Sequence, residues 1–178
     1  MTSDLLPIER FDPPHDAALL DHIGQLRVEA WSEESGVSQK IKETGRWLDA
    51  KDAAAYQYTL RTTSSKLVAA ARLSILDTAD KADYFSHFSF RRPITGRVGV
   101  ISRLVILRDY HHRGLWHDFD EVRIRDAKLM NIDAMLLICG TYRLEKLKSE
   151  GFEPAGEPFE EQELPNHQAF PLCHYLDH

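Results

Sequence analysis

The segment Ser102-Arg103-Leu104-Val105-Ile106-Leu107-Arg108-Asp109-Tyr110-His111-His112-Arg113-Gly114-Leu115-Trp116 has the residue order of an anion cradle. A β-branched run ends, Asp109 and Tyr110 follow, basic side chains cluster, one glycine intervenes, and a helical pattern begins. Unpaired amides at a helix N-terminus point outward, and the helix dipole adds about half a positive charge there. Gly114 lets an anion approach the backbone, with His112 and Arg113 as further donors. Trp116 departs from the pattern, because such a loop wants a second small residue at that place. Its indole either obstructs the anion or points away into the core.

Other clusters carry less. His111, His112, His117 and Asp118 do not fall at a recognised metal-ligand spacing, and no cysteine pair supports them, so no metal is expected. There is no serine nucleophile elbow. The charged stretch from Asp120 to Lys128 reads as a solvated helix face.

With 178 residues and 43% hydrophobic content, the chain reads as one domain over 1–178. A domain of that size buries roughly 70% of the surface its unfolded chain exposes, so a core forms without staples. No apolar run reaches the length of about 18 residues that spans a membrane, so no membrane association is expected. The first residues, Met1-Thr2-Ser3-Asp4, lack the basic and apolar regions of a secretion signal, which points to the cytoplasm. Cys139 and Cys173 sit in apolar runs and read as reduced core residues. The net charge of −6 disfavours nucleic-acid binding and suits a cationic or amine substrate. Against that background, the basic group at Arg108, His111, His112 and Arg113 fits a small anionic ligand.

The positioning elements follow from periodicity. His15 to Trp31 has helical apolar spacing. Ala54 to Thr62 and Leu67 to Leu76 read as strands of a hairpin around Thr63-Ser64-Ser65-Lys66. Residues 77–96 form a long polar and aromatic connection. Val98 to Leu107 is a buried-type strand, Leu115 to Met130 an amphipathic helix, and Ala134 to Cys139 a parallel neighbour, together a right-handed βαβ crossover. Tyr142 to Ser149 is a short helix stopped by Gly151, a loop covers Glu157–Asn166, and Ala169 to Tyr175 closes the chain as a strand.

The stretch from Ser102 to Phe159 resembles the GCN5-related N-acetyltransferase (GNAT) superfamily. The signature loop Gln/Arg-x-x-Gly-x-Gly/Ala falls on His111-His112-Arg113-Gly114-Leu115-Trp116, and a late Gly-Phe turn falls on Glu150-Gly151-Phe152. The N-terminal helix and hairpin extend the likeness over nearly the whole chain. The resemblance implies an α+β fold: a mixed, mostly antiparallel sheet, one splayed parallel strand pair, and helices on both faces. It implies an N-acetyltransferase that passes an acyl group from acetyl-CoA to the amine of a small molecule or peptide by direct attack. Leu104, Val105 and Ile106 would pair with the pantetheine amides by strand addition, and His111 to Trp116 would hold the pyrophosphate. His111 replaces the usual Gln or Arg. The tyrosine that many members use as acid to the leaving thiolate maps onto Leu147, so no proton donor follows from that position. Tyr142, on the same helix, is the substitute candidate, and His167, in a loop like those that fold toward the acceptor, is the second catalytic candidate. Edge strands in this fold often pair, which leaves a homodimer open.

The N-terminal half is similar to a narrower branch, the acyl-homoserine-lactone and N-acyl amino acid synthases, which take acyl groups from acyl carrier protein. The likeness rests on Arg27 and Trp31, Trp47-Leu48-Asp49-Ala50-Lys51-Asp52-Ala53, Arg72, and Ser102-Arg103 in that order. Asp49 and Asp52 could hold an amino group, and Arg72 and Arg103 a carboxylate. The branch's acidic residue two positions before Ser-Arg is absent, since Val100 stands there. A third possibility is a GNAT-fold module that binds without catalysing.

Overall fold

A computed structural model describes residues 4–32, 43–160 and 168–176. The chain forms two compact units, each discontinuous in sequence: Met1–Ser74 with Arg103–Arg123, and Ile75–Ser102 with Ile124–His178.

In the first unit, strand β1 (Glu9–Phe11) precedes helix α1 (Ala17–Ala30). Asp16 starts the helix by accepting a hydrogen bond from the Ala18 amide at 2.9 Å. The hairpin is β2 (Tyr56–Arg61) and β3 (Leu67–Leu76), in register from Tyr56 opposite Leu73 to Leu60 opposite Ala69, with a register shift that then sets Arg61 opposite Leu67. Its turn closes through Thr62 and Lys66, with Ser65 at φ 68°. β1 lies antiparallel on β2, Phe11 opposite Gln57. Ile23, Tyr58, Phe119 and the run Val68 to Ala71 have no exposed surface, and the small alanines of β3 leave both of its faces closely covered.

β4 (Val98–Ile106) belongs to both units. Arg108–Tyr110 forms a 3₁₀ turn, and helix α2 (Leu115–Leu129) follows. α2 ends on Asn131 at φ 53°, with Ile132 N–H donating to the Ala127 carbonyl at 3.1 Å and Asn131 N–H to Lys128 at 3.0 Å, a Schellman arrangement.

The second unit holds β5 (Ala134–Gly140), helix α3 (Thr141–Ser149), the short strands β6 (Glu153–Pro154) and β7 (Phe159–Glu160), and β8 (Gln168–Tyr175). α3 closes on Gly151 at φ 94°, with Phe152 N–H on the Leu147 carbonyl at 3.0 Å and Gly151 N–H on Lys148 at 3.2 Å. Leu147 and Phe152, both buried, form the apolar contact of that cap. Val98, Ala134, Leu136, Ala155 and Cys173 make the core, with Phe88, Phe90 and Ile94 against it.

The strands hydrogen-bond in the order β1-β2-β3-β4-β5-β8-β6, with β7 on β8. The pair β4 and β5 is parallel, and β8 is antiparallel to β5. The parallel ladder joins Val98–Val100 to Ala134–Leu136, while β4 runs on to Ile106 and β5 to Gly140. The expected α+β fold, with a mixed, mostly antiparallel sheet and one parallel pair, is therefore present.

The structure differs from the sequence reading in several places. β1 and β6 were not foreseen, β7 lies where a loop was expected, and the 77–96 connection contains 3₁₀ turns at Ala79–Lys81 and Phe85–His87. The α2 stretch expected as a solvated face is instead sealed in part: Asp120, Arg123 and Asp126 are buried. Arg123 donates to Asp120 Oδ1 at 2.5 Å, to the Phe119 carbonyl at 3.1 Å and to the Arg72 carbonyl at 3.1 Å. A buried guanidinium is tolerated because each direction it points meets an acceptor. Among the described residues, no helix is long and apolar enough to cross a membrane.

Candidate functional site

The first unit carries two neighbouring arrangements. One is the end of β4 with the loop into α2. Leu107 N–H donates to the Val68 carbonyl of β3 at 2.9 Å. Along a strand, successive residues turn their amide and carbonyl to opposite edges. Ile106, and Leu104 two residues before it, therefore direct their backbone groups away from β3, which is what strand addition by an extended amide ligand requires. Val105 and Leu107 are buried, and Leu104 and Ile106 are half-buried.

The loop then turns sharply. His112 has φ 62° and Gly114 φ 78°, and the Gly114 carbonyl accepts from His117 N–H at 2.9 Å to open α2. A Cβ on Gly114 would meet no atom within 4 Å, so its outer side is open space. Leu115 is buried and anchors the helix start. Trp116 is half-buried, its ring edge-on to His117 at 5.9 Å. His111 Nε2 lies 2.9 Å from the Ile106 carbonyl. Arg113 bonds Asp4 Oδ1 at 2.9 Å and lies over the Tyr110 ring at 4.8 Å.

The second arrangement is a charge network. Arg27 of α1, wholly buried, donates to Asp52 with both terminal nitrogens at 2.9 Å. One of them also reaches the Trp47 carbonyl at 3.1 Å. Asp52 further accepts from the Asp49 amide at 2.8 Å, from Gln57 Nε2 at 3.2 Å and from Arg72 at 3.1 Å. Arg72 continues to Asp49 at 2.6 Å, and Arg103 Nη2 reaches the other Asp49 oxygen at 3.1 Å. Arg103 lies over the Trp47 ring at 4.9 Å, and Trp47 meets Trp31 edge-on at 6.1 Å. Arg103 sits at φ 54° inside β4, a left-handed kink that costs a non-glycine residue of the order of 1 kcal/mol.

Burial pushes the Asp52 carboxyl up, but the bonds and charge of Arg27, the Asp49 amide and Arg72 outweigh it and bring the pKa to about 2. The same opposition, with Arg72 foremost among the stabilising partners, lowers Asp49. Burial lowers Arg27, and the Asp52 bond and charge work against that.

The four residues expected to hold an acceptor, Asp49, Asp52, Arg72 and Arg103, are thus brought together, and they bind one another. Asp52 and Arg72 are closed within the network, with side chains 2% and 4% exposed. Asp49 and Arg103, at 32% and 17%, form its accessible end. Arg27 was noted in the sequence only as a likeness marker. Its spacing four residues after Ile23, on the apolar face of α1, was the signal for burial.

Tyr142 lies in the second unit, in the first turn of α3, and is 76% exposed. Leu147, where the resemblance places an acid, is fully buried in the C-cap of that helix. His167 lies outside the described residues. Among the described residues, no group of three His, Cys, Asp or Glu could hold a metal ion.

The sequence matches no protein-family model and no curated protein. Solved structures do match. The CoA-dependent acyl-homoserine lactone synthase BjaI, with SAM and isopentyl-CoA, is 17% identical over 96% of this chain and 83% of its own, with a TM-score of 0.72. The AHL synthase LasI is 16% identical over 97% and 90%, at 0.71. An acyl-CoA N-acyltransferase from Pseudomonas aeruginosa is 18% identical over 95% and 99%, at 0.64. With the parallel pair β4 and β5 and the glycine loop at the start of α2, these likenesses establish that the chain has the GNAT fold.

Proposed function

We propose that the chain is an acyltransferase that takes an acyl group from acetyl-CoA or a related acyl-CoA and passes it to the amine of a small molecule or peptide. The observation that carries this reading is the pairing of an outward-facing β4 edge at Leu104 and Ile106 with an open backbone cradle at Gly114, where the loop after β4 enters α2. The thioester, when bound, supplies an acyl carbon that an amine can attack with loss of the thiolate. The β4 edge would align it, and the first amides of α2 would hold the diphosphate. Tyr142, 76% exposed, and His167 are carried from the resemblance alone as the candidate acid and base. A thiolate of modest basicity leaves much of the rate to positioning.

Isothermal titration with acetyl-CoA tests the reading: no heat at millimolar ligand sinks it, and leaves a fold without its donor. Gly114→Ala refines the test. Nothing in the protein obstructs the added methyl, so the folded chain loses only the conformational cost of φ 78°, of the order of 1 kcal/mol. Affinity for acetyl-CoA is expected to fall about tenfold, because the methyl occupies the face an anion must approach. Unchanged affinity would place the diphosphate elsewhere.

A second reading is favoured by the Asp49, Asp52, Arg72 and Arg103 network: an N-acyl amino acid or autoinducer-type synthase, supplied by acyl carrier protein, acting on an acceptor with both an amino group and a carboxylate. Faster turnover of long acyl-carrier thioesters than of acetyl-CoA promotes it over the first.

A further inference from the structure

The two chemical groups that the loop offers a carrier already have partners from the chain itself. Arg113, the guanidinium beside the cradle, is bonded to Asp4. Asp4 does not depend on that ion pair to stay in place. Its carbonyl accepts from Thr63 N–H at 2.8 Å, Leu5 bridges Thr62, and Leu6 N–H donates to the Arg61 carbonyl at 2.8 Å. The N-terminal segment is thus laced to the end of β2, and it carries a carboxylate to the cradle's arginine.

His111 behaves in parallel. A carbonyl only accepts, so the 2.9 Å contact with Ile106 places the proton on Nε2. The Ile106 carbonyl points away from β3 and is an acceptor on the very edge that an amide-bearing ligand would join.

We propose that Asp4 and His111 determine how tightly the site takes its acyl donor: Asp4 competes with the donor's diphosphate for Arg113, and His111 competes with a pantetheine amide for the Ile106 carbonyl. The inference rests on the acyl-CoA reading of the site. It assigns His111 a different part from the phosphate contact that the resemblance implies. It also explains why an exposed surface pair has a role despite contributing little to stability. The gain from removing Asp4 comes from deleting a negative charge at the mouth of an anion site.

Titration calorimetry of the full chain with acetyl-CoA, and separately with inorganic pyrophosphate, tests it. Asp4→Asn is expected to tighten both by about threefold at low salt, with the gain fading as salt screens the charge. His111→Ala is expected to tighten acetyl-CoA by about threefold and to leave pyrophosphate unchanged, as one competing hydrogen bond is removed. Thermal melts should be the same for both variants and the parent. If the parent binds acetyl-CoA and Asp4→Asn binds it equally or more weakly, the competition is overturned while the acyl-CoA reading stands. Weaker binding by His111→Ala shows the ring to be a ligand contact and overturns its half. If neither the parent nor either variant binds acetyl-CoA, both readings fall together.

Discussion

Asp52→Asn is expected to cost about 3–5 kcal/mol of folding stability, the usual penalty for removing one partner of a buried ion pair. The side chain is nearly isosteric, so the change isolates charge. In the parent, Asp52 faces the wholly buried Arg27 in a two-pronged pair and also takes Arg72, the Asp49 amide and Gln57. Without the negative charge, Arg27 retains a carbonyl and an amide oxygen as partners but no counterion. Urea titration should show a lower midpoint with an unchanged slope. A loss below about 1 kcal/mol would mean that the network behaves as a solvated surface pair. The same residue sets an acid limit. Its folded pKa of about 2 is below its ordinary 3.8, so the stabilisation is complete above about pH 4 and is lost as pH falls through 2. Acid unfolding of the parent should deepen across that window, and Asp52→Asn should lack that component.

Gly156→Ala is expected to cost about 3 kcal/mol, from overpacking and backbone strain together. A Cβ there would stand 2.0 Å from the His87 carbonyl oxygen, at φ 149°. The obstacle is backbone, so no rotamer change relieves it. His87 is held where it is: its ring stacks on Phe159 at 3.9 Å, and Ser89 N–H donates to the Ala155 carbonyl at 2.7 Å. The chain from Tyr84 to Phe90 must therefore lift off β6 and β7, or the substitution must be rejected by unfolding. Calorimetric melting reads the difference, and a fall of less than 2 °C would show that the segment yields cheaply.

The strands and helices with clear periodicity could be read from the sequence to within a residue or two. α1, the hairpin, β4, α2, β5, α3 and β8 all carry local signals, such as the helical apolar spacing from His15 to Trp31, a polar turn at Thr63 to Lys66 and a glycine stop at Gly151. β1 carries none. It is three residues long, followed closely by Pro13 and Pro14, and exists because Phe11 finds Gln57, a partner 46 positions along the chain. The 3₁₀ turns of 77–96 hide for a similar reason, since the connection follows no period and is anchored by Ala79, Ala82, Phe88 and Phe90 in or against the core. The site was legible as composition and illegible as pairing. The resemblance brought Asp49, Asp52, Arg72 and Arg103 to notice, but residue type cannot say whether an aspartate faces a ligand or another residue's guanidinium. Arg27 and Arg123 were undervalued because charge suggests solvent, although each sits four residues from a buried apolar neighbour, Ile23 and Phe119.

The two cysteines turn the sheet into its own clock. Cys139 and Cys173 stand on β5 and β8, opposite Phe170 and Leu136 in the ladder that joins those strands, and both are buried free thiols. Burial pushes the Cys173 thiol up to about 12. Only a thiolate reacts with an alkylating reagent, so the raised pKa leaves the folded protein poorly reactive at this position even before access is considered. Labelling of Cys173 therefore waits for β8 to part from β5, and its rate under excess iodoacetamide measures how often that happens.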